Sequence, residues 1–452
     1  MNINYNKLFI FMCSKNLLSD AKKLYALKPE VIDMCQNVFV CCCWYGHLDV
    51  IKWLYEIKPD IDISEDYEKA FRGGCRYGHI DIVKWLYEIK PDIDISAKKE
   101  SALLWCCIEG HLNIIKWLYE IKPTIDISID YETPFIYSCT YGHLDIAKWL
   151  YKIKPTIDIN IDDETPFIYS CTHGHLDIAQ WLYGIYSEMN TEVNYEDGFG
   201  SACRNGHIKI AKWLYEIIPN LRISYNNDYA FRHCCTNGHI NVAKWLYEIN
   251  PTIDISKDDE CIFSLSCATG NLEIVKWLYE IKPNINISVR DEEPFKYSCS
   301  SGYIDVAKWL YEIKPSINTS VDNEGPFRYS CLNGHLEVAK WLYEIRPTIN
   351  LYTVFDNMNN SVIKNNIVEW LNTISDVFTY KIIDGQYVLQ KSINFIKKDN
   401  ISFHDKCCIC LEDANCLTNC NHEICITCVN HLNEYKCPLC RQMFNVCYIK
   451  ND

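Results

Sequence analysis

The C-terminal part of the chain holds a cluster of cysteines whose spacing is typical of metal ligands. Four close pairs follow one another: Cys407 and Cys410, Cys420 and His422, Cys425 and Cys428, and Cys437 and Cys440. Zn²⁺ prefers four Cys or His ligands in a tetrahedron, and a short turn between two cysteines brings both thiolates to one ion. Eight ligands therefore predict two zinc ions. Disulfide bonds would need oxidising conditions and would leave His422 unexplained, so they are the weaker interpretation.

The ligand order, three Cys, one His and four Cys, resembles the RING finger over residues 404–445. A PHD finger would carry Cys in the fourth place and His in the fifth, so it fits less well. Cys408 and Cys416 remain as spare thiols, and Cys408 could take the place of Cys407. The RING resemblance implies interleaved sites, one held by Cys407, Cys410, Cys425 and Cys428 and the other by Cys420, His422, Cys437 and Cys440.

The same resemblance implies a surface for an E2 ubiquitin-conjugating enzyme. Ile409 and Pro438 match the apolar contacts with that enzyme, and Arg441 matches the cation that bridges the enzyme and its ubiquitin. Leu432 stands where strong ligases often carry Trp, which would weaken the contact or change the choice of conjugating enzyme. A RING forms no covalent intermediate and acts by positioning. A RING that folds and dimerises without activating transfer is the alternative.

A different pattern fills the chain before this cluster. The stretch GHLDVIKWLYEIKP at 46–59 recurs with its Gly and Trp every 32 residues, in ten copies without a change of phase. Such a fixed period indicates one stacked architecture rather than a series of independent domains.

Each copy predicts two helices. Residues 143–153 carry an apolar stripe at helical spacing, and Pro155 ends that longer helix, as its counterparts do in nine of ten copies. Residues 133–142 predict a shorter helix with Thr133 as N-cap and Pro134 in the first turn. The acidic segment between copies predicts a turn or finger.

This arrangement resembles the ankyrin repeat over residues 34–353. TPF, SC and GHLDIAKWL within 133–150 occupy the places of that family's Thr-Pro-Leu-His, small pair and Gly-His-Leu. The period is 32 rather than the usual number of about 33, and a Lys-Pro pair replaces the usual glycine at the end of the second helix. The Trp-Leu-Tyr and Lys-Pro pattern most resembles the expanded ankyrin families of giant DNA viruses.

The whole chain is therefore expected to be mostly α: an ankyrin solenoid with degenerate terminal repeats, followed by a small α+β zinc domain. The expected domains are listed in order: 1–33 as an N-terminal capping repeat, 34–353 as ten ankyrin repeats, 354–374 as a C-terminal capping repeat, 375–403 as a connector with a β-hairpin around Asp384 and Gly385, 404–445 as the zinc module and 446–452 as a tail.

Residues that recur in every copy predict packing, and residues that vary predict binding. The Cys three positions before each Gly, the His that follows Gly in eight of ten copies and the Trp are therefore expected to be structural. Ankyrin-type proteins bind protein partners on a concave face, and Tyr, Trp and Arg dominate such contacts. The varying candidates for this face are Trp44, Arg76, Trp105, Tyr137, Tyr169, Arg204, His233, Tyr297 and Tyr329.

Composition limits the classes of function. The net charge of −15 argues against a general nucleic-acid surface. The N-terminal apolar run is too short for a signal peptide or a membrane span, so we expect a reducing cytoplasm, a host's if the chain is viral, or the nucleus. We find no phosphate-binding Gly-rich loop and no nucleophile–base set.

The combined expectation is a RING-type E3 ubiquitin ligase whose repeats bind a protein substrate and whose module recruits the charged conjugating enzyme. The alternative is a non-catalytic ankyrin adaptor with a structural or dimerising zinc domain. A zinc-dependent nucleic-acid binder is disfavoured by the acidic charge balance.

Overall fold

A computed structural model describes the repeats almost completely. Its described residues are 4–189, 193–349, 351, 354 and 362–374, followed by the strand residues 378–383, 386–391, 394–398, 416–418, 423–424 and 446–450. The described part is mostly helical, as the sequence predicts for the repeats. The chain divides into two compact units, Met1–Cys234 and Cys235–Asp452. No helix among the described residues is long and apolar enough to cross a bilayer.

The first unit repeats a pair of helices, here called the first and second helix of each copy. A 3-10 turn at Pro29–Met34 precedes the first complete pair. The helices in chain order are α1 Tyr5–Ser14, α2 Leu18–Leu27, α3 Cys35–Tyr45, α4 Leu48–Ile57, α5 Glu65–Arg76, α6 Ile80–Ile89, α7 Ala97–Glu109, α8 Leu112–Ile121, α9 Ile129–Thr140, α10 Leu144–Ile153, α11 Ile161–His173, α12 Leu176–Met189, α13 Tyr195–Arg204, α14 Ile208–Ile217 and α15 Tyr225–Thr236.

The second unit continues the same alternation and ends in short strands. Its helices are α16 Ile240–Ile249, α17 Lys257–Ala268, α18 Leu272–Ile281, α19 Val289–Ser300, α20 Ile304–Ile313, α21 Val321–Asn333, α22 Leu336–Ile345 and α23 Asn365–Ile374. Its strands are β1 Val362–Ile363, β2 Phe378–Ile383, β3 Gln386–Lys391, β4 Asn394–Lys398, β5 Cys416–Thr418, β6 Glu423–Ile424 and β7 Val446–Lys450.

The strands form two small sheets. In the first, in the order β1-β3-β2, β2 and β3 pair antiparallel on either side of 384–385, where the sequence predicts a hairpin. In the second, in the order β4-β7-β5-β6, β7 pairs parallel with β4 and antiparallel with β5. Residues 446–450, which are rich in residue types that favour strands, therefore belong to a sheet. The sequence alone predicts a tail for these residues.

The second helices end as expected. In α10, Ile146, Ala147 and Leu150 are fully buried on one face. The C-cap residue Lys154 has φ −131°, so it does not form a left-handed cap. The helix ends here because Pro155 has no N–H to donate and disfavours helical backbone angles at the residue before it.

The first helices begin differently from the prediction. Asp130, Tyr131 and Glu132 all have left-handed backbone angles, with φ of 46°, 60° and 58°. Three successive left-handed residues are unusual, since each costs about 1–2 kcal/mol outside glycine. The hydroxyl of Thr133 donates to the carbonyl of Asp130 at 2.5 Å instead of accepting from a backbone N–H of the first turn, so the N-cap prediction is wrong. The same left-handed stretch occurs at 66–68, 98–100, 258–260, 290–292 and 322–324.

Aromatic side chains join successive copies. The ring of Trp181 lies 6.2 Å from Phe135 and 5.9 Å from Tyr151, both in the preceding copy. Within the second unit, Trp341 makes the same contacts with the preceding copy's Phe and Tyr. The expected role of the recurring Trp in packing between repeats is confirmed.

The segments before the first and after the last full copy lack the glycine–histidine pair, and other residues take its place. Asn16 adopts φ 58° where the full copies have Gly, a conformation that Asn tolerates better than most residues. After the last copy, Lys364 lies over Gly334, and Trp370 packs 6.1 Å from Phe327.

Candidate protein-interaction surface

In most copies a histidine contact fixes the turn between the two helices of the preceding copy, and Asn271 and Tyr303 take its place in two copies. His143 Nε2 lies 2.8 Å from the carbonyl of Ile108, and His111 Nε2 lies 2.9 Å from that of Arg76. Because a carbonyl only accepts, Nε2 carries the hydrogen. The His143 ring also covers Gly110, where an added Cβ would lie 2.5 Å from Cε1. These bonds confirm the expected structural role of the recurring His.

A buried acid supports each left-handed stretch. Glu132 is 8% exposed, and its carboxylate accepts from Lys154 Nζ at 3.3 Å. Lys154 also donates to Ser128, so the Lys at the end of the second helix ties it to the preceding finger. Glu292 repeats the pattern, accepting from the backbone N–H of Asn318 at 3.3 Å. The sequence carries this signal, an acid or Gln at 36 and every 32 residues thereafter, but we did not predict its role.

The recurring cysteines are buried and unreactive thiols. The buried members in this phase are Cys43, Cys75, Cys107, Cys139, Cys171, Cys203, Cys235, Cys267, Cys299 and Cys331. Burial raises the pKa of the Cys107 thiol to about 12. Since the thiolate is both the nucleophile and the metal ligand, these side chains act as small apolar residues. The expectation for the repeat cysteines is confirmed.

The varying residues predicted to bind partners all reach the surface of the first helices. Tyr169, Arg204 and Tyr297 are exposed. The remaining predicted residues are half-buried: Trp44, Arg76, Trp105, Tyr137, His233 and Tyr329. The first helices from α3 to α13, and those from α17 to α21, pack side by side, so the positions on these helices form a strip within each unit.

Three of these residues meet in one cavity. Trp44, Arg76 and Trp105 line a cavity of about 260 Å³ between α3, α5 and α7. The Arg76 guanidinium stacks on Trp105, 3.7 Å from the ring centroid. The indole Nε1–H of Trp44 donates to the carbonyl of Lys69 at 3.3 Å. We call this cavity the basic pocket, because its remaining lining is rich in cations.

Sequence reasoning missed most of those cations. Lys69, Arg72 and Lys98 line the same cavity. Comparison between copies could have found Lys98, since Asp66 and Asp130 occupy its phase in the neighbouring copies.

A second group forms around Tyr229. The guanidinium of Arg204 donates to the Tyr229 hydroxyl at 3.1 Å, and the ring of His233 lies 4.2 Å from that of Tyr229. Burial lowers the pKa of His233, and the nearby Arg204 adds to this shift. Tyr229 also lines a cavity of about 350 Å³ that includes Gly200, where the preceding copy has Ile168.

The other predicted partner residues make local contacts. They are Tyr137 against Tyr141, Tyr169 against His173, Tyr297 with Glu293, and Tyr329 beneath Arg328. The hydrogen bond with Glu293 raises the pKa of Tyr297.

The predicted zinc ligands Cys407, Cys410, Cys420, His422, Cys425, Cys428, Cys437 and Cys440 lie outside the described residues, as do Ile409, Leu432, Pro438 and Arg441. Among the residues that the structure does describe, no group of three or more potential ligands could hold a metal ion. The nearest described elements are β5 and β6, which pair antiparallel on either side of the segment that contains Cys420 and His422.

The helix pairs, their glycine–histidine turns and the strip of varying side chains define a repeat protein built for binding. Family models for ankyrin repeats match residues 38–130, 122–197 and 263–353, and a second ankyrin model matches 200–246. The chain belongs to the ankyrin-repeat family. No curated protein sequence matches the chain significantly. Ankyrin repeats indicate a protein-interaction role, and the matched ranges end before the predicted zinc module.

Proposed function

We propose that the chain is a RING-type E3 ubiquitin ligase that binds a substrate protein on its ankyrin repeats. The observation that carries the proposal is the combination of two features in one chain. One is a repeat array with a pocket of charged and aromatic side chains, and the other is the run of Cys and His at ligand spacing in 407–440.

The donor set suits zinc. Thiolates in close pairs and one imidazole are the ligands of structural Zn²⁺ sites, and metal binding supplies folding energy to so short a segment. Cys420 and His422 fall between two strands that pair, which is compatible with their sharing one ion. Zinc would have a structural role here, and the chemistry of transfer would belong to the bound partner.

Transfer would depend on contacts at the module's surface. Ile409 and Pro438 would hold the conjugating enzyme, and Arg441 would hold carbonyls of both that enzyme and its ubiquitin. The module would thus keep ubiquitin in a reactive pose beside a substrate lysine. Tethering to the repeats would raise the effective concentration of the charged enzyme near that lysine.

Auto-ubiquitination tests the proposal directly. The purified full chain, loaded with zinc, would be incubated with activating enzyme, ATP, ubiquitin and a panel of conjugating enzymes. We expect ubiquitin ladders that disappear in Cys425→Ser, which removes a zinc ligand, and in Arg441→Ala, which leaves the ligands intact.

Cys416→Ser is the matched control, because it changes a thiol of the same segment that is not assigned to zinc. It should keep both its zinc and its activity. A protein that binds two zinc ions and forms no ladder with any conjugating enzyme would refute the ligase.

One observation favours the alternative of a non-catalytic adaptor. Leu432 offers the conjugating enzyme less contact area than the Trp that strong ligases often carry at this place. In an adaptor, Leu432→Trp would leave ubiquitin transfer absent, whereas in a weak ligase it should raise the rate.

A further inference from the structure

We propose that the basic pocket, bounded by Trp44 and Trp105, is the docking site for an acidic segment of a protein partner. Its cations are Lys69, Arg72, Arg76 and Lys98. The inference rests on the receptor role proposed for the repeats and does not depend on the zinc module.

The pocket carries an excess of positive charge. Asp66 is shared between Lys98 Nζ at 3.1 Å and Lys69 Nζ at 3.5 Å. The hydrogen bond from Lys98 lowers the pKa of Asp66, so this carboxylate is ionised at neutral pH. Glu109 lies 3.5 Å from Arg76 Nε. Two carboxylates thus face four cations.

Arg72 is the cation with the least compensation. Its Nε donates to the carbonyl of Tyr67 at 2.6 Å, and its Nη2 donates to the carbonyl of Asp66 at 2.8 Å. Both acceptors are neutral backbone groups, and no ion pair is formed by Arg72 within the described residues. A carboxylate that enters the pocket would therefore find an uncompensated guanidinium.

The combination of these four cations is a local property of two neighbouring copies. The counterparts of Lys98 include Asp66 and Asp130, and that of Arg76 is Thr140 two copies further on. No other set of the four equivalent positions holds more than one cation. The single cations that recur at these positions are Arg290 for Lys98, Arg204 for Arg76, and Arg232, Lys296 and Arg328 for Arg72. Packing cannot require these cations, since copies with the same fold dispense with them. In a chain of net charge −15, their concentration in one pocket indicates a complementary anionic partner.

The walls of the pocket are held in place. Gly73 makes room for Trp44, since an added Cβ would lie 1.9 Å from the indole. The carbonyls of Trp44 and Arg76 accept hydrogen bonds from His79 and His111, each at 2.9 Å. A preorganised aromatic wall beside fixed cations favours binding because less side-chain entropy is lost.

The size of the cavity favours a peptide side chain over a nucleic acid. A cavity of about 260 Å³ accepts one or two side chains, whereas nucleic acid requires cations along an extended surface. Because cations exceed carboxylates in the pocket, charge alone would also admit a dianionic phosphate, and the phosphoserine peptide in the test below distinguishes the two. The Trp rings would pack against the methylene groups of a Glu side chain.

Fluorescence anisotropy with the zinc-loaded full chain tests this inference. The probe is a fluorescein-labelled twelve-residue peptide of alternating Glu and Ser, compared with a Gln/Ser peptide of the same length. We expect the Glu peptide to bind more tightly and to weaken as salt is raised. The double variant Lys69→Gln/Arg76→Gln should weaken binding about tenfold or more, because charge-assisted hydrogen bonds are lost.

The matched control is Lys84→Gln/Lys116→Gln, which removes the same charge from exposed positions on the second helices and should leave binding unchanged. Gly73→Ala keeps every charge but displaces Trp44, so weaker binding in this variant would show that shape contributes. If both double variants weakened binding equally, the loss would be explained by net charge alone, and the docking site would be refuted.

Other ligands provide the remaining outcomes. A phosphoserine peptide or a labelled oligonucleotide that binds the pocket while the Glu peptide does not would overturn the assignment. Because the assay needs no conjugating enzyme, a chain that binds the Glu peptide but forms no ubiquitin ladder would refute the ligase and leave the docking site standing.

Discussion

The helix-packing interior around Phe135 and the basic pocket around Arg76 are built from positions a few residues apart in the repeat, yet they obey opposite rules. In the interior, Phe135 and Cys139 are fully buried and their types recur from copy to copy. In the pocket, Arg76 and Lys98 are partly exposed and differ in charge from most of their counterparts elsewhere. The comparison teaches that residue types which recur in every copy serve packing, whereas residues that differ from the repeat pattern are candidates for binding.

Truncating the interior should have the largest effect. Phe135→Ala removes a fully buried ring that packs 6.2 Å from Trp181, and we expect a loss of about 3–5 kcal/mol in the free energy of unfolding. Urea denaturation followed by circular dichroism measures it. Tyr137→Ala, two residues further on and half-buried, should cost less than about 1 kcal/mol. Similar losses in both variants would break the distinction.

The glycine turn should be the next most sensitive feature. Gly142→Ala places a Cβ at φ +87° and 2.6 Å from His175 Cε1, so we expect a loss of about 2 kcal/mol. The double variant Gly142→Ala/His175→Ala removes the collision but keeps the backbone strain. Its loss should therefore be smaller than the sum of the two single losses, and simple additivity would contradict the proposed contact.

The buried thiols should make stability depend on alkaline pH. Burial raises the pKa of Cys107 from 9.0 to about 12, so the folded state favours the neutral thiol. This contribution is complete below the unfolded pKa and is lost as the pH rises from about 9 towards the folded pKa. Between about pH 7.5 and pH 10, Cys107→Ala should remove about 1 kcal/mol of the pH-dependent loss of stability. An unchanged pH dependence would mean that this thiol is not shielded from water.

The pocket cations should have the smallest effect on stability. Arg76 is 39% exposed, and its stacking and ion-pair contacts are screened by solvent. Arg76→Gln should therefore change the free energy of unfolding by less than about 0.5 kcal/mol. A large loss would show that the arginine supports the fold and would weaken its assignment to binding.

The periodic part of the fold could be predicted because its signals repeat. The register of Gly46 and its counterparts, the apolar stripe of α10 and the stop at Pro155 each act through local sterics and burial, and the structure agrees with them. The recurring His and Trp were assigned to packing for the same reason: a role that must fit every copy is a structural role.

The left-handed stretch could not be predicted from local preference. Tyr131 and Glu132 are residue types that rarely adopt this conformation, and the tertiary pairing of Glu132 with Lys154 helps to hold it. Propensity therefore placed the N-cap at Thr133. The available signal was an acid that recurs every 32 residues from Glu68, with Gln at 36.

The candidate site was predicted in part. The choice of varying Tyr, Trp and Arg located Trp44, Arg76 and Trp105, which the structure brings together. This choice omitted Lys98, which lies in the finger. Its role depends on the charged residues that pack next to it from the neighbouring copy, and the sequence of one copy does not show them. For the zinc module, ligand spacing is the whole basis of the prediction, and ubiquitin transfer remains its test.

The contact between each histidine and the preceding copy makes the repeat interchangeable. Deleting residues 111–142 would join Gly110 to His143 and leave the helix pairs whole. His143, which now bonds to Ile108, would reach the carbonyl of Arg76, and its ring would cover Gly78 as that of His111 does now. Whole repeats can therefore be lost or duplicated, because the new neighbours make the same contacts as the old ones. A gene of this kind can lengthen, shorten or reshuffle its recognition strip in single recombination steps while the interior stays the same.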